Sequence, residues 1–180
     1  MDTDAATSAA KLARINALDA VEPRGLLRSV LLKVGPQPWF IAIYRRLGPK
    51  IDPTVSRIRD GAVMRSLYGL PGMVLHTTGA KSGQPRSNPL LYARDGDDFI
   101  VVGTNFGQLK HPAWTANLRA HPDAAVEIGG ITLPVTAHII EGDEWQSVFD
   151  RLVAVYPGYA LYLERRSELP PRLFRLVPKV

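Results

Sequence analysis

The chain has no cysteine. That excludes disulfides, thiolate metal ligands and cysteine nucleophiles, and it suits a cytoplasmic protein. It has no run of about 18 apolar residues, so no transmembrane helix is expected. It opens on Met1-Asp2-Thr3-Asp4, acidic where a signal peptide would be basic. The four histidines, His76, His111, His121 and His138, nowhere show His-x3-His spacing, and without cysteines no metal site is expected. A Gly-x-Ser-x-Gly elbow is missing, which argues against a serine hydrolase. So is a Gly-x-Gly-x-x-Gly after a strand, which argues against a Rossmann nicotinamide site. There is no RNP, zinc-finger or helix-turn-helix signal, so nucleic acid is not an expected partner. The carboxylates are scattered through turns and helix starts and form no catalytic dyad.

What is present is ample for a core: 46% of 180 residues are hydrophobic. The length suits one domain with an N-terminal extension, divided at 1–70 and 71–180. The net charge of +5 is unevenly placed. Residues 1–70 hold eleven Lys/Arg against six Asp/Glu, whereas residues 71–180 hold eleven of each. Any basic partner surface therefore belongs to the extension.

The extension reads as short helices. Residues 1–10 are small and polar and expected to fray. Leu12, Ile15 and Leu18 then recur at helical spacing over Lys11 to Val21. Pro23 permits a new start, and Leu26, Leu27, Val30, Leu31 and Val34 form an apolar stripe beside Arg24, Arg28 and Lys33. A third segment carries Trp39, Phe40, Ile41, Ile43, Tyr44 and Leu47, closed by Arg45, Arg46 and Lys50. Aromatics beside cations suit a membrane interface, so peripheral contact through residues 24–50 at the inner face of the cell membrane is one reading. Packing on the core or on a second subunit is the other.

After a loop-rich approach the pattern changes to strands. Met73–Thr78, Arg86–Arg94 and Phe99–Thr104 read as a meander, with Asp95-Gly96-Asp97-Asp98 as a hairpin turn. Pro112 opens a helix over Ala113–Ala120, and His121-Pro122 ends it. Ala124–Ile128 and Ile131–Ile140 flank a Gly129-Gly130 turn, and Pro134 suggests an edge strand or a bulge. A helix over Glu144–Val155 breaks at Tyr156-Pro157-Gly158 and restarts toward Arg166. Arg172–Val177 alternates as a closing strand. The count is about six strands, mostly hairpin-connected, in an α+β chain that suggests a small barrel.

Three stretches carry candidate chemistry. His76 to Pro89 joins two strands with Gly79, Gly83, Lys81, Arg86, and hydroxyl and amide side chains. Glycines let backbone N–H groups converge, and the cations add charge, a combination suited to an anionic oxygen group. An ordinary hairpin loop with solvated cations is the alternative. It is not a Walker A loop, because the glycine spacing differs. Tyr156, Tyr159 and Tyr162, spaced by three, fall on one helical face. They either line a pocket for a flat ligand, with a hydroxyl to donate a proton, or simply pack. Asn105 to Trp114, following a buried strand, either faces the same pocket or is a plain connection.

Together these residues resemble a known family. Thr77-Thr78-Gly79-x-Lys81-Ser82-Gly83-Gln84-Pro85-Arg86-x-Asn88-Pro89-Leu90, then Leu91-Tyr92, Asp95-Gly96, Gly103-Thr104-Asn105, Lys110-x-Pro112-x-Trp114-x2-Asn117-Leu118 and Tyr156-Pro157-x-Tyr159-x2-Tyr162 are similar to the deazaflavin-dependent nitroreductases. These are split-barrel flavin/deazaflavin oxidoreductases. The resemblance runs from about Gly69 to the C-terminus. It implies a six-stranded, FMN-binding-like split β-barrel that binds coenzyme F420, an 8-hydroxy-5-deazaflavin. It assigns the phosphate and polyglutamate tail to Lys81, Ser82, Gly83, Gln84 and Arg86. Asn88, Pro89 and Leu91 would border the deazaflavin, and Thr104, Asn105, Ala113 and Trp114 would support it. Tyr156, Tyr159 and Tyr162 would lie on the substrate side, and the proton would come from a tyrosine, with Tyr159 the first choice, or from water.

Two positions depart from the family pattern. Ala80 stands where arginine is usual, and Asn105 where a basic residue is common. Each loss removes a charge-assisted bond typically worth about 1.5–3 kcal/mol. The implied activity is hydride transfer from reduced F420 to a quinone, activated alkene or nitro compound. The alternatives are a deazaflavin-, flavin- or lipid-binding protein without turnover, and an FMN-dependent electron-transfer protein. A homodimer is compatible with exposed hairpins.

Overall fold

The structure is a computed structural model and describes residues 2–20 and 69–180. The second and third helices expected in the extension, with their proposed membrane contact, lie outside the described residues.

The first helix, α1, spans Asp2–Asp19. It starts well before Lys11, so the expected frayed stretch is helical. Ala6, Ala9, Ala10, Ala13 and Ala17 supply the propensity, since alanine loses no side-chain freedom in a helix. Ser8, Leu12 and Ile15 are its buried residues, at i, i+4 and i+7. Leu12 and Ile15 pack into the same core as the strands. At its end Asp19 Oδ1 accepts from the Tyr92 hydroxyl at 2.7 Å, and Asn16 Nδ2 donates to Asp97 at 3.0 Å. Arg94 donates to the Asn16 side-chain oxygen as well.

Among the described residues seven strands follow: β1 (Gly72–Thr78), β2 (Pro85–Leu91), β3 (Ala93–Asp95), β4 (Asp98–Gly103), β5 (Asp123–Ile128), β6 (Ile131–Ile140) and β7 (Arg172–Pro178). All pairings are antiparallel, in the order β2-β1-β5-β6-β7-β4-β3. The expected count of six is thus corrected to seven. The segment read as one strand, Arg86–Arg94, breaks after Tyr92: its amide still donates to Pro71 O at 3.1 Å, in register with β1, but Ala93 pairs with Ile100 of β4. On one side of that residue the chain pairs with β1, on the other with β4. The two ends of the sheet are therefore consecutive in sequence, and the sheet curls round.

The Phe99–Val102 run faces two cores. Phe99 and Val101 join α1, Met73, Leu75, Leu133 and Trp114, while Ile100 and Val102 join a second cluster with Phe149, Leu152 and the late tyrosines. Burial on both faces explains its unbroken apolar character. The edge reading of Pro134 is corrected too. β6 lies between β5 and β7, and Pro134 is tolerated because the β7 ladder ends beside it, at Val135–Pro178. Its carbonyl accepts from the Lys179 amide at 3.0 Å.

Three helices complete the chain: α2 (Ala113–Ala120), α3 (Glu144–Val155) and α4 (Gly158–Glu164). A 3-10 turn at Asn105–Gly107 links β4 toward α2.

Candidate active site

The β1–β2 connection is tied down from within. Gly79 N–H donates to Gln84 O at 2.9 Å, Gly83 N–H to Gly79 O at 2.8 Å, and Gln84 N–H to Ser82 Oγ at 3.3 Å. Gly83 has a φ of +66°, which favours glycine there. A second brace comes from α2. Asn117, itself buried, accepts from Ala80 N–H at 2.9 Å and donates from Nδ2 to Thr77 Oγ1 at 3.1 Å. Four of the loop's amides are thus used within the fold. What the loop offers outward is narrower than glycine content suggested: the amides and side chains around Lys81 and Ser82, with Arg86 at the base. Lys81, Ser82, Gly83, Gln84 and Arg86 are all exposed. Neither Lys81 nor Arg86 pairs with a carboxylate among the described residues.

Farther along β2 the pleat sends alternate residues to opposite faces. Pro89 and Leu91 share one face, and Asn88 shares the other with Arg86. Leu91 packs against the cluster that holds the tyrosines.

The end of β4 meets the start of α2 closely. A Cβ on Gly103 would sit 2.5 Å from the Thr115 methyl group. Thr104 is buried, and the next two residues, Asn105 and Phe106, have φ values of 48° and 56°. Residues with side chains seldom adopt this left-handed conformation, and such strain concentrates at functional sites. Asn105 Nδ2 donates to Lys110 O at 2.9 Å. The Phe106 ring is exposed and stands edge-on to Tyr162, 6.2 Å between centroids. Ala113 is exposed at the first turn of α2, whereas Trp114 points inward against Phe174 and is 4% exposed. Support from Trp114 is therefore by way of the core.

Tyr156 ends α3, and Tyr159 and Tyr162 lie on α4. Their rings pack together with centroids 5.3 to 6.3 Å apart, and the Tyr156 and Tyr162 hydroxyls are 3.4 Å apart. All three are buried. Burial pushes each phenol above its ordinary value, and for Tyr156 the Tyr162 hydroxyl adds to the rise. They are weak acids that keep their protons and act as hydrogen-bond donors.

A family model described as F420H(2)-dependent quinone reductase matches residues 50–173. The chain belongs to that family. Among curated relatives, an F420H(2)-dependent quinone reductase of Mycobacterium tuberculosis is 33% identical over 117 residues, covering 61% of this chain and 78% of that protein. Among solved structures, an F420-H2 dependent reductase, FDR-A, shares 36% identity with a TM-score of 0.54, over 59% of this chain and 93% of its own. Another, solved as a domain-swapped dimer, shares 32% identity with a TM-score of 0.55, over 68% of this chain and 93% of its own. The protein is accordingly an F420H(2)-dependent oxidoreductase, and its coenzyme is F420.

The residues fit such a coenzyme. An acidic tail calls for exposed cations on a loop whose shape is already set; Lys81 and Arg86 are exposed and pair with no carboxylate among the described residues. Residue-level reading singled out this loop from its glycines and cations. It missed the side chain that shapes it. Asn117 was visible in the family motif, but nothing local says that its partner is an amide 37 residues earlier. It also missed Arg166, which has no exposure to solvent and makes its bonds to β4 and to His111.

Proposed function

We propose that this F420H(2)-dependent oxidoreductase reduces a quinone-like, electron-poor acceptor, with the acidic end of the coenzyme on Lys81, Ser82, Gly83, Gln84 and Arg86. The observation that carries the reading is the Asn117-braced loop, which holds two exposed cations without carboxylate partners among the described residues. Asn88, Pro89 and Leu91 border the ring, and Thr104, Asn105 and Ala113 support it, with Trp114 fixing Ala113 from the core. The acceptor lies on the side of Tyr156, Tyr159 and Tyr162. When bound, F420 supplies the hydride; the protein supplies placement, desolvation and charge.

The tyrosines take a specific part in this scheme. Because burial holds them protonated, Tyr159 and its neighbours donate hydrogen bonds to an acceptor oxygen rather than surrendering a proton, and water delivers the proton. Exposed Phe106 and the buried ring cluster offer an apolar wall for a flat acceptor. The curled sheet forms, in this scheme, the split barrel of the family, and a second copy of the chain is its partner in a homodimer.

The test is direct. Reduced F420, mixed with the full chain and menadione, is followed by its return to the oxidised absorbance. Rapid, protein-dependent oxidation is expected. An inert protein across quinone, enone and nitroaromatic acceptors would overturn the reading.

A further inference from the structure

Arg166 is the largest side chain with no exposure to solvent among the described residues. It lies just past α4, and it reaches three separate stretches of chain. Its Nε donates to Leu169 O at 2.6 Å. Its Nη1 donates to Gly103 O at 3.0 Å and to Thr104 O at 2.8 Å. Its Nη2 lies 3.2 Å from His111 Nδ1. No carboxylate pairs with it among the described residues. A dry guanidinium with only neutral partners is costly, and simple packing would be better served by an apolar side chain of the same volume.

The location of those partners gives the arrangement a purpose. Gly103 ends β4 and Thr104 follows it, and the next two residues are the left-handed Asn105 and Phe106. Such conformations persist only when the surroundings over-determine them. Thr104 O is held twice, by Arg166 and by the Gly107 amide at 3.0 Å, so the turn closes on a carbonyl that the guanidinium fixes. The fourth partner, His111, stands two residues before α2. A guanidinium only donates, so His111 Nδ1 must be a bare acceptor and the ring proton must sit on Nε2. Burial and the nearby Arg172, Arg166 and Arg119 all disfavour a second proton on that ring. Only a planar fork with several donors can hold all these acceptors at once; a lysine nitrogen cannot span them.

We propose that Arg166 is a positioning residue of the reductase, holding the Thr104–Phe106 turn and the His111 approach to α2 in one fixed relation, so that the pocket wall stands where coenzyme and acceptor meet. The inference rests on the site reading given above. It concerns a residue that touches neither ligand and acts through the turn.

The experiment compares the full-length wild type with Arg166→Lys and Arg166→Met. Three quantities are read: menadione-dependent oxidation of reduced F420, F420 affinity by tryptophan quenching, and NMR of the His111 ring nitrogens and the Gly107 amide. In the wild type, His111 shows the Nε2–H form. In Arg166→Lys, kcat falls on the order of 100-fold, as expected when a reacting group is displaced by about 1 Å. Affinity for the tail, set at Lys81 and Arg86, is unchanged. The Gly107 amide exchanges faster and His111 loses its single tautomer, changes that bulk destabilisation at a distant site would not produce. If Arg166→Met does not fold, the wild-type His111 signal and the lysine variant still decide. A wild-type His111 protonated on Nδ1, or a lysine variant with wild-type kcat, KM and Gly107 exchange, overturns the positioning role. A wild type without turnover overturns the functional reading instead, and the positioning role with it.

Discussion

Asn117 grips Ala80 and Thr77 together: it accepts the Ala80 amide at 2.9 Å and donates to the Thr77 hydroxyl at 3.1 Å. One buried amide side chain thereby joins α2 to both the end of β1 and the loop beyond it. Replacing it by leucine leaves the buried Thr77 hydroxyl and the part-buried Ala80 amide without this partner, at a cost of about 1–3 kcal/mol for the buried group and less for the other. Asn117→Leu is expected to lower the thermal midpoint and to weaken F420 binding, both measurable on one sample by fluorescence.

The exposed cations predict a graded series. Lys81→Ala and Arg86→Ala should each raise the F420 dissociation constant by roughly tenfold or more, the worth of one charge-assisted bond. Ala80→Arg, which restores the family's usual cation beside Lys81, should lower it. Isothermal titration at low and high salt checks both, and the differences should shrink as ionic strength rises. Unchanged affinity in both alanine variants would remove the loop from the site.

The buried tyrosines predict behaviour in alkali. Their folded-state pKa values are raised, while in the unfolded chain a phenol ionises near 10. Below about pH 10 both states hold the proton and stability is flat with respect to these groups; above it the unfolded state loses protons first and stability falls. Denaturant midpoints measured from pH 8 to 11 should decline above 10. The decline should be shallower in Tyr159→Phe.

Gly103 predicts a steric effect. A methyl group there would lie 2.5 Å from the Thr115 Cγ2 and 3.3 Å from Pro112 Cδ. Gly103→Ala should destabilise the protein by about 1–3 kcal/mol through overpacking. Thr115→Ala, which keeps the backbone and removes the obstructing methyl, should recover part of that loss in the double variant. Chemical denaturation of the four proteins forms the cycle.

Much of this fold could be read locally. β1, β4, β6 and β7 announce themselves by apolar runs and turn residues, and α2 by Pro112 and the alanine-rich stretch behind it. The break at Tyr92 could not be read, because the run Leu90-Leu91-Tyr92-Ala93 is continuous in apolar character; only the pairing of Ala93 with Ile100 shows the change of partner. Pro134 misled for the converse reason: a local rule about proline ignored where the neighbouring ladder stops. In the site, the loop and the tyrosines carry visible signals of glycine, charge and spacing. Asn117 and Arg166 do not, since each acts through bonds to atoms at least 37 residues away, apart from the Arg166 bond to Leu169. No spacing rule encodes such a partner.

The bend at Tyr92 also limits how the sheet can misassemble. In an open ribbon, one outer strand may slip by two residues while the rest stays in place. Here the strand at one margin continues directly into the strand at the other, so sliding β2 along β1 would drag β3 along β4. A shift of a single residue would, besides, turn the side chains of both to the wrong face. Alignment errors are thus shared by both margins of the sheet, and the chain has few cheap ways to be almost right.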